Sequence, residues 1–143
     1  MTAIVIDDQP LVRLGMQRLL ERMPGIGAVH AIDPADIVAL APSHAPAVVV
    51  YGMAGDVNDN WYLLRRLTEA LPNARILLLS DNMWLRVPAA LESRGVVDCL
   101  PKTATIERIE MAVMQMVGTD SLVPLRRVAA DAWQLHHRPG AMS

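Results

Sequence analysis

The chain has no phenylalanine, two tyrosines and three tryptophans in its 143 residues. Aliphatic side chains must therefore fill the core, and nine methionines can adapt to irregular gaps. One cysteine excludes an internal disulfide framework and suits a reducing compartment. Positive charge is not in excess. The formal net charge is −2 and there is no basic stripe of the kind nucleic-acid binders carry. No apolar run approaches the roughly 18 residues that span a bilayer. The N-terminus enters an apolar strand with no basic stretch or cleavage site before it, so a soluble, cytoplasmic protein without a membrane partner is expected. The turn after that strand is Asp-Asp-Gln-Pro, where a nucleotide-binding turn would be glycine-rich.

What is present is an alternation of short apolar runs and longer helical patterns. Apolar residues make up 52% of the chain, too many for a disordered one. Ala3–Ile6 reads as a buried strand ending in Asp7 and Asp8. Residues 10–23 read as a helix with Val12, Met16, Leu19, Leu20 and Met23 on one face, stopped by Pro24-Gly25. Ala28–Ile32 is a second strand. Asp33 and Pro34 then form an N-cap and first helical position for a short helix to about Leu40. Val48–Tyr51 is the third strand, Gly52–Asn58 a loop, and 59–71 a helix ending at Pro72. Ile76–Leu79 is the fourth strand. A weaker helix at about 84–94 follows, with Pro88 in its first turn, since proline within a helix costs about 3 kcal/mol. Val96–Leu100 is the fifth strand. Residues 104–117 form the fifth helix, with Ile106, Ile109, Val113, Met116 and Val117 aligned.

Strands apolar at every position are buried on both faces, which requires a parallel sheet covered by helices. Five βα units with right-handed crossovers give a doubly wound, flavodoxin-like α/β sandwich of order 2-1-3-4-5. Residues 1–118 form this domain. Residues 119–143 are expected to form a tail or linker, in which the spacing of Leu125, Val128, Ala129, Ala132 and Trp133 on one face suits an amphipathic helix.

In such folds ligands sit beyond the carboxyl ends of the strands. Those ends carry Asp7 and Asp8, Gly52, Ser80 and, after Pro101, Lys102. Two acids, a hydroxyl and a lysine in this order, together with Ile4-Val5-Ile6-Asp7-Asp8-Gln9-Pro10-Leu11-Val12-Arg13, Leu63-Leu64-Arg65-Arg66-Leu67, Ile76-Leu77-Leu78-Leu79-Ser80 and Leu100-Pro101-Lys102, resemble a known family over about residues 3–117. The chain resembles the receiver domains of two-component response regulators, most of all those joined to LuxR-type (NarL-like) DNA-binding regulators.

The resemblance implies a chemistry. In the family the acid pair holds Mg²⁺ with a phosphoacceptor aspartate, which attacks a phosphoryl donor. The hydroxyl and the lysine bind the new phosphoryl oxygens, and an aromatic residue of the fifth strand swings inward. The face made by the fourth helix, fifth strand and fifth helix then changes shape. Asp7, Asp8, Ser80 and Lys102 match this pattern. Gly52 stands at the acceptor position and Cys99 at the switch aromatic, and the loop from Met53 to Asn60 departs from the family's sequence. Glycine offers no oxygen nucleophile.

The expectation is therefore an atypical receiver: a phosphorylation-independent interaction module, not an enzyme, with Mg²⁺ held weakly at most. It would be the regulatory part of a LuxR-type regulator, contacting DNA only through a domain outside this chain. A direct ion pair of Lys102 with the acids is expected in place of the phosphate-bound arrangement. Alternatives are a small-molecule sensor using the space vacated at position 52 and at the switch, or phosphorylation at a non-standard aspartate such as Asp56. A haloacid-dehalogenase phosphatase would need Asp-x-Asp where the chain has Asp7-Asp8-Gln9. Homodimerisation is expected through the fourth helix, fifth strand and fifth helix, with Met83 and Trp84 as an interaction surface for a copy or a partner protein. Cys99 reads as a small buried hydrophobe, because a redox role needs a lowered pKa.

Overall fold

Three of the strands gain their stability from burial rather than from alternation. In the computed structural model, which describes residues 1–82 and 86–118, β1 (Thr2–Ile6) and β3 (Ala47–Gly52) lie in the middle of the sheet with almost no exposed side chain. β4 (Ala74–Ser80) is equally buried apart from Arg75. β2 (Ala28–Ile32) and β5 (Val96–Pro101) are the edges, and both expose polar positions such as His30 and Asp98. The order is β2-β1-β3-β4-β5 with every pair parallel, as the apolar runs predict.

Because side chains alternate across a strand, the sheet divides the core in two. Ile4, Ile6, Val49, Tyr51, Ile76 and Leu78 form one side, covered by α2 (Val57–Ala70), by Leu91 of α3 (Ala89–Glu92) and by Ile37. Ala3, Val5, Val48, Val50, Leu77 and Leu79 form the other, covered by α1 (Pro10–Glu21) and α4 (Ile106–Gly118). Lacking phenylalanine, the chain has Tyr51 as the largest fully buried side chain among the described residues. The same alternation puts Gly52, the last residue of β3, next to Leu79 of β4 and on the opposite side of the sheet from Tyr51.

Several boundaries differ from expectation for local reasons. The second helical segment is a 3₁₀ turn, Pro34–Ala39. Asp33 does cap it, accepting the Ala35 N–H at 2.9 Å. α2 begins earlier, because Asp56 caps it by accepting the Asn58 N–H at 2.7 Å. The loop after β3 thus shortens to residues 53–56. The helix expected at 84–94 is only one turn, with Pro88 preceding it as the cap rather than sitting inside. Gly95 then ends it at φ +127°, where a Cβ would strike the Ala74 carbonyl oxygen at 2.4 Å. Val12 and Ile106, expected on buried faces, are exposed. The tail, Met83 and Trp84 lie outside the described residues.

Candidate functional site

The parallel register brings Asp7, Gly52, Ser80 and Lys102 to one edge of the sheet. Asp7 follows β1, Gly52 ends β3 beside it, Ser80 ends β4, and Lys102 follows β5. The Lys102 N–H donates to the Ser80 carbonyl at 2.9 Å, which ties the ends of β4 and β5 together.

Asp7 is only 2% exposed. Its Oδ1 accepts the Gln9 N–H at 2.8 Å, and its carbonyl accepts Arg13 Nη1 at 2.7 Å. Arg13 also reaches Asp33 at 3.6 Å, pinning the start of α1 to the end of β2. The other carboxyl oxygen of Asp7 points at Gly52. A Cβ built on Gly52 would lie 1.9 Å from Asp7 Oδ2 and 2.9 Å from Asp7 Cγ. The space vacated by a side chain at position 52 is therefore filled by the neighbouring acid. Burial pushes the Asp7 carboxyl above its ordinary value of 3.8, and the charge of Asp8 adds to this; the Gln9 N–H and the charge of Lys102 act the other way. Asp8 itself is exposed.

Lys102 stands off from both acids. Among the described residues it forms no ion pair within 4.0 Å, so the direct pairing expected from the sequence is replaced by a longer-range attraction felt by Asp7. Ser80 is buried, and its Oγ accepts the Asn82 N–H at 3.0 Å. Cys99 is half-buried against the core around Tyr51. Burial and then the charge of Asp98 push its thiol upward, away from the reactive thiolate form.

Sequence reasoning missed Asn60. This buried side chain holds the loop after β3 with four hydrogen bonds. Its Nδ2 donates to the carbonyls of Ala54 at 2.7 Å and Asp56 at 2.8 Å. Its Oδ1 accepts the Tyr51 hydroxyl at 3.0 Å and the Ala54 N–H at 3.4 Å. Burial, with the nearby charges of Asp8 and Asp7, pushes the Tyr51 phenol up, so that hydroxyl stays a donor. The available signal was an asparagine one helical turn after a capping aspartate, in a loop that follows a buried tyrosine.

The remaining space is small. A cleft of about 120 Å³ lies between residues 53–55, Asn60 and residues 80–82, below the roughly 300 Å³ of ordinary ligand pockets. Of the two places where a small-molecule sensor would find vacated space, the one at position 52 is filled by Asp7. Asp56, the alternative acceptor, already spends its carboxylate on capping α2. The Mg²⁺ implied by the resemblance does not fit the residues present. Mg²⁺ takes an octahedron of oxygens, usually including one or two protein carboxylates. Here no group of three or more His, Cys, Asp or Glu side chains gathers among the described residues. Of the two acids, Asp7 has one oxygen held by Gln9 and the other turned onto Gly52.

No family model matches the chain. It is similar to response regulator UvrY of Escherichia coli, 26% identical over 111 residues, 77% of this chain and 51% of that protein. It is also similar to a Ycf55-like protein of Synechocystis, 25% identical over 121 residues, 81% of this chain and 21% of that protein. Among solved structures it superimposes on a LuxR family DNA-binding response regulator from Silicibacter pomeroyi with a TM-score of 0.60 at 23% identity, covering 82% of this chain and 93% of the other. The fold is that of response-regulator receiver domains. The chain spans about half the length of UvrY and about a fifth of the Ycf55-like protein. No described helix is long and apolar enough to cross a membrane.

Proposed function

We propose that the chain is an atypical receiver that signals by protein contact in the cytoplasm, without phosphoryl transfer and without an enzymatic activity of its own. One observation carries this reading: the acceptor position is Gly52, and Asp7 Oδ2 occupies the place where a side chain at that position would begin. Position 52 offers no nucleophile to phosphorylate and no room for one, and metal binding by Asp7 and Asp8 is weak at most. The likeness to UvrY and to the LuxR-type structure supports a role as the regulatory part of a transcriptional regulator. DNA contact would belong to a segment outside this chain. The module works as a homodimer or with a partner protein.

The test is incubation with acetyl phosphate and Mg²⁺ followed by intact-mass spectrometry, with beryllofluoride titration monitored by tryptophan fluorescence. The expected results are an unchanged mass and an unchanged spectrum. A stoichiometric, hydroxylamine-labile gain of one phosphoryl group on any pocket carboxylate would overturn the reading.

A further inference from the structure

We propose that residues 119–143 fold back as a helix along the exposed side of α4, closing an antiparallel helical hairpin within one chain.

α4 carries apolar side chains on two sides. Ile109, Ala112, Val113 and Met116 face the core. Met111 and Met114 lie on the other side, 62% and 54% exposed. Glu107, Glu110, Met111, Met114 and Gly118 succeed one another at one- to four-residue steps that keep them on one outward stripe. The first half of the stripe is acidic and the second half apolar. Among the described residues neither glutamate forms an ion pair. The last turn of α4 packs against the turn after α1, where a Cβ on Gly25 would meet Val117 Cγ1 at 2.8 Å. The tail therefore leaves the domain at the apolar end of the stripe.

The tail's sequence matches that stripe in reverse. Leu125, Val128, Ala129, Ala132 and His136 recur at helical steps on one face, with Trp133 beside them. From Leu125 onward this face is apolar first and basic at its end, where His136, His137 and Arg138 follow one another. Backward from Gly118, the α4 stripe is apolar first and acidic at its end. An antiparallel pair of helices joined by a short connection brings the matching halves together. Pro124 suits the first turn of a helix and not its interior, so the connection closes within residues 119–123, an ordinary length between packed helices. Leu125 then lies beside Gly118, Ala129 opposite Met114, Ala132 opposite Met111 and His136 opposite Glu107. Glu107 to Gly118 spans about 16 Å of helix, and Leu125 to His136 has the same number of steps. The small side chains of Ala129 and Ala132 leave room for the two methionines. A connection this short holds the tail at an effective concentration of about millimolar, so the chain's own tail outcompetes that of a second copy.

The test is hydrogen peroxide oxidation of the full chain at concentrations where light scattering shows a monomer, with each methionine followed by peptide mass spectrometry. Met111 and Met114 should react roughly tenfold or more slowly than methionine in a free peptide. Ala129→Glu/Ala132→Glu should return both to the free rate, while the buried Met23 stays protected and reports that the domain is still folded. In a Cys99→Ala background, Met114→Cys/Ala129→Cys should close an intrachain disulfide and Met114→Cys/His136→Cys should not. Free-rate oxidation of Met111 and Met114 in the unmodified chain overturns the proposal. So does protection seen only in a dimer, protection that Ala129→Glu/Ala132→Glu leaves intact, or a disulfide in the second cysteine pair alone. Phosphorylation by acetyl phosphate would overturn the functional reading above and leave the hairpin standing.

Discussion

Gly52→Ala adds one carbon at the place that Asp7 fills. The new Cβ would lie 1.9 Å from Asp7 Oδ2 and 2.9 Å from its Cγ, whereas Asp7 Cβ at 3.5 Å is in ordinary contact. Asp7 must turn away to make room. Its Oδ1 then gives up the Gln9 N–H, a bond worth about 0.5–1.5 kcal/mol net. The displaced carboxyl enters packed surroundings, which adds about 1–3 kcal/mol. The backbone adds nothing, because Gly52 is not among the glycines with positive φ. The expected loss is about 2–4 kcal/mol. In an Asp7→Ala background the two clashing atoms are gone, and the same substitution should cost under about 0.5 kcal/mol. The four proteins of this cycle can be compared by urea denaturation followed with far-UV circular dichroism. A coupling of about 2–3 kcal/mol is expected, within the range for residues in contact. Additivity to within about 0.5 kcal/mol would refute the claim that Asp7 fills the space of a side chain at position 52.

Gly52→Asp sets a third carboxylate beside Asp7 and Asp8. It should destabilise the metal-free protein more than Gly52→Ala, and millimolar Mg²⁺ should raise the Tm of the variant by several degrees by binding the folded state. An equal rise in the unmodified chain would show that two carboxylates suffice. Asp7→Asn keeps an acceptor for the Gln9 N–H but removes the burial penalty on a charge. Because the folded-state pKa of Asp7 is raised, the protonated carboxyl contributes stability that is fully present below its ordinary value of 3.8 and is lost as pH rises through the folded value. Asp7→Asn should therefore gain stability relative to the parent at neutral pH and show a flatter profile through the acid range, read from Tm against pH. A variant that loses stability equally at all pH values would contradict this. Asn60→Ala strands the buried Tyr51 hydroxyl and frees the loop from Ala54 to Asp56, so it should cost about 2–4 kcal/mol and speed hydrogen exchange at the Ala54 amide. Tyr51→Phe should cost about 1 kcal/mol and leave that amide protected. Equal effects of the two would show that the loop is held by something else.

The sheet was readable because its signal is local. Ala3–Ile6, Val48–Tyr51 and Ile76–Leu79 are runs apolar at every position, and that pattern has one outcome in a chain of alternating strands and helices. The strand ends also placed Asp7, Gly52, Ser80 and Lys102 on one edge, since parallel strands share a direction. Helix details were less readable where competing signals were close in strength. Pro34 and Asp33 mark the start of a segment without deciding between α and 3₁₀ turns. Pro88 marks a boundary equally well from inside the first turn or from the cap. Tertiary contacts left no trace in the pattern. Asp7 reads as a solvent-facing acid at a strand end, because nothing in the sequence says where its carboxyl turns. Asn60 reads as one more polar loop residue, because its four bonds join groups up to nine residues apart.

The glycine at 52 and the burial of Asp7 constrain one another. An acid this buried carries a desolvation cost, offset by the Gln9 N–H and by the attraction of Lys102. It occupies that position because Gly52 leaves room for it. Drawn outward to ligate a cation, Asp7 would leave a gap beside β3 that glycine cannot fill, and it would lose the Gln9 bond as well. Returning a carboxylate to position 52 therefore does not restore a phosphorylatable site in one step, because the first acid must leave before the third can enter. Mg²⁺ supplies the force that could move it, which is why the thermal response of Gly52→Asp to Mg²⁺ separates a pocket that has been filled from one that has only lost a residue.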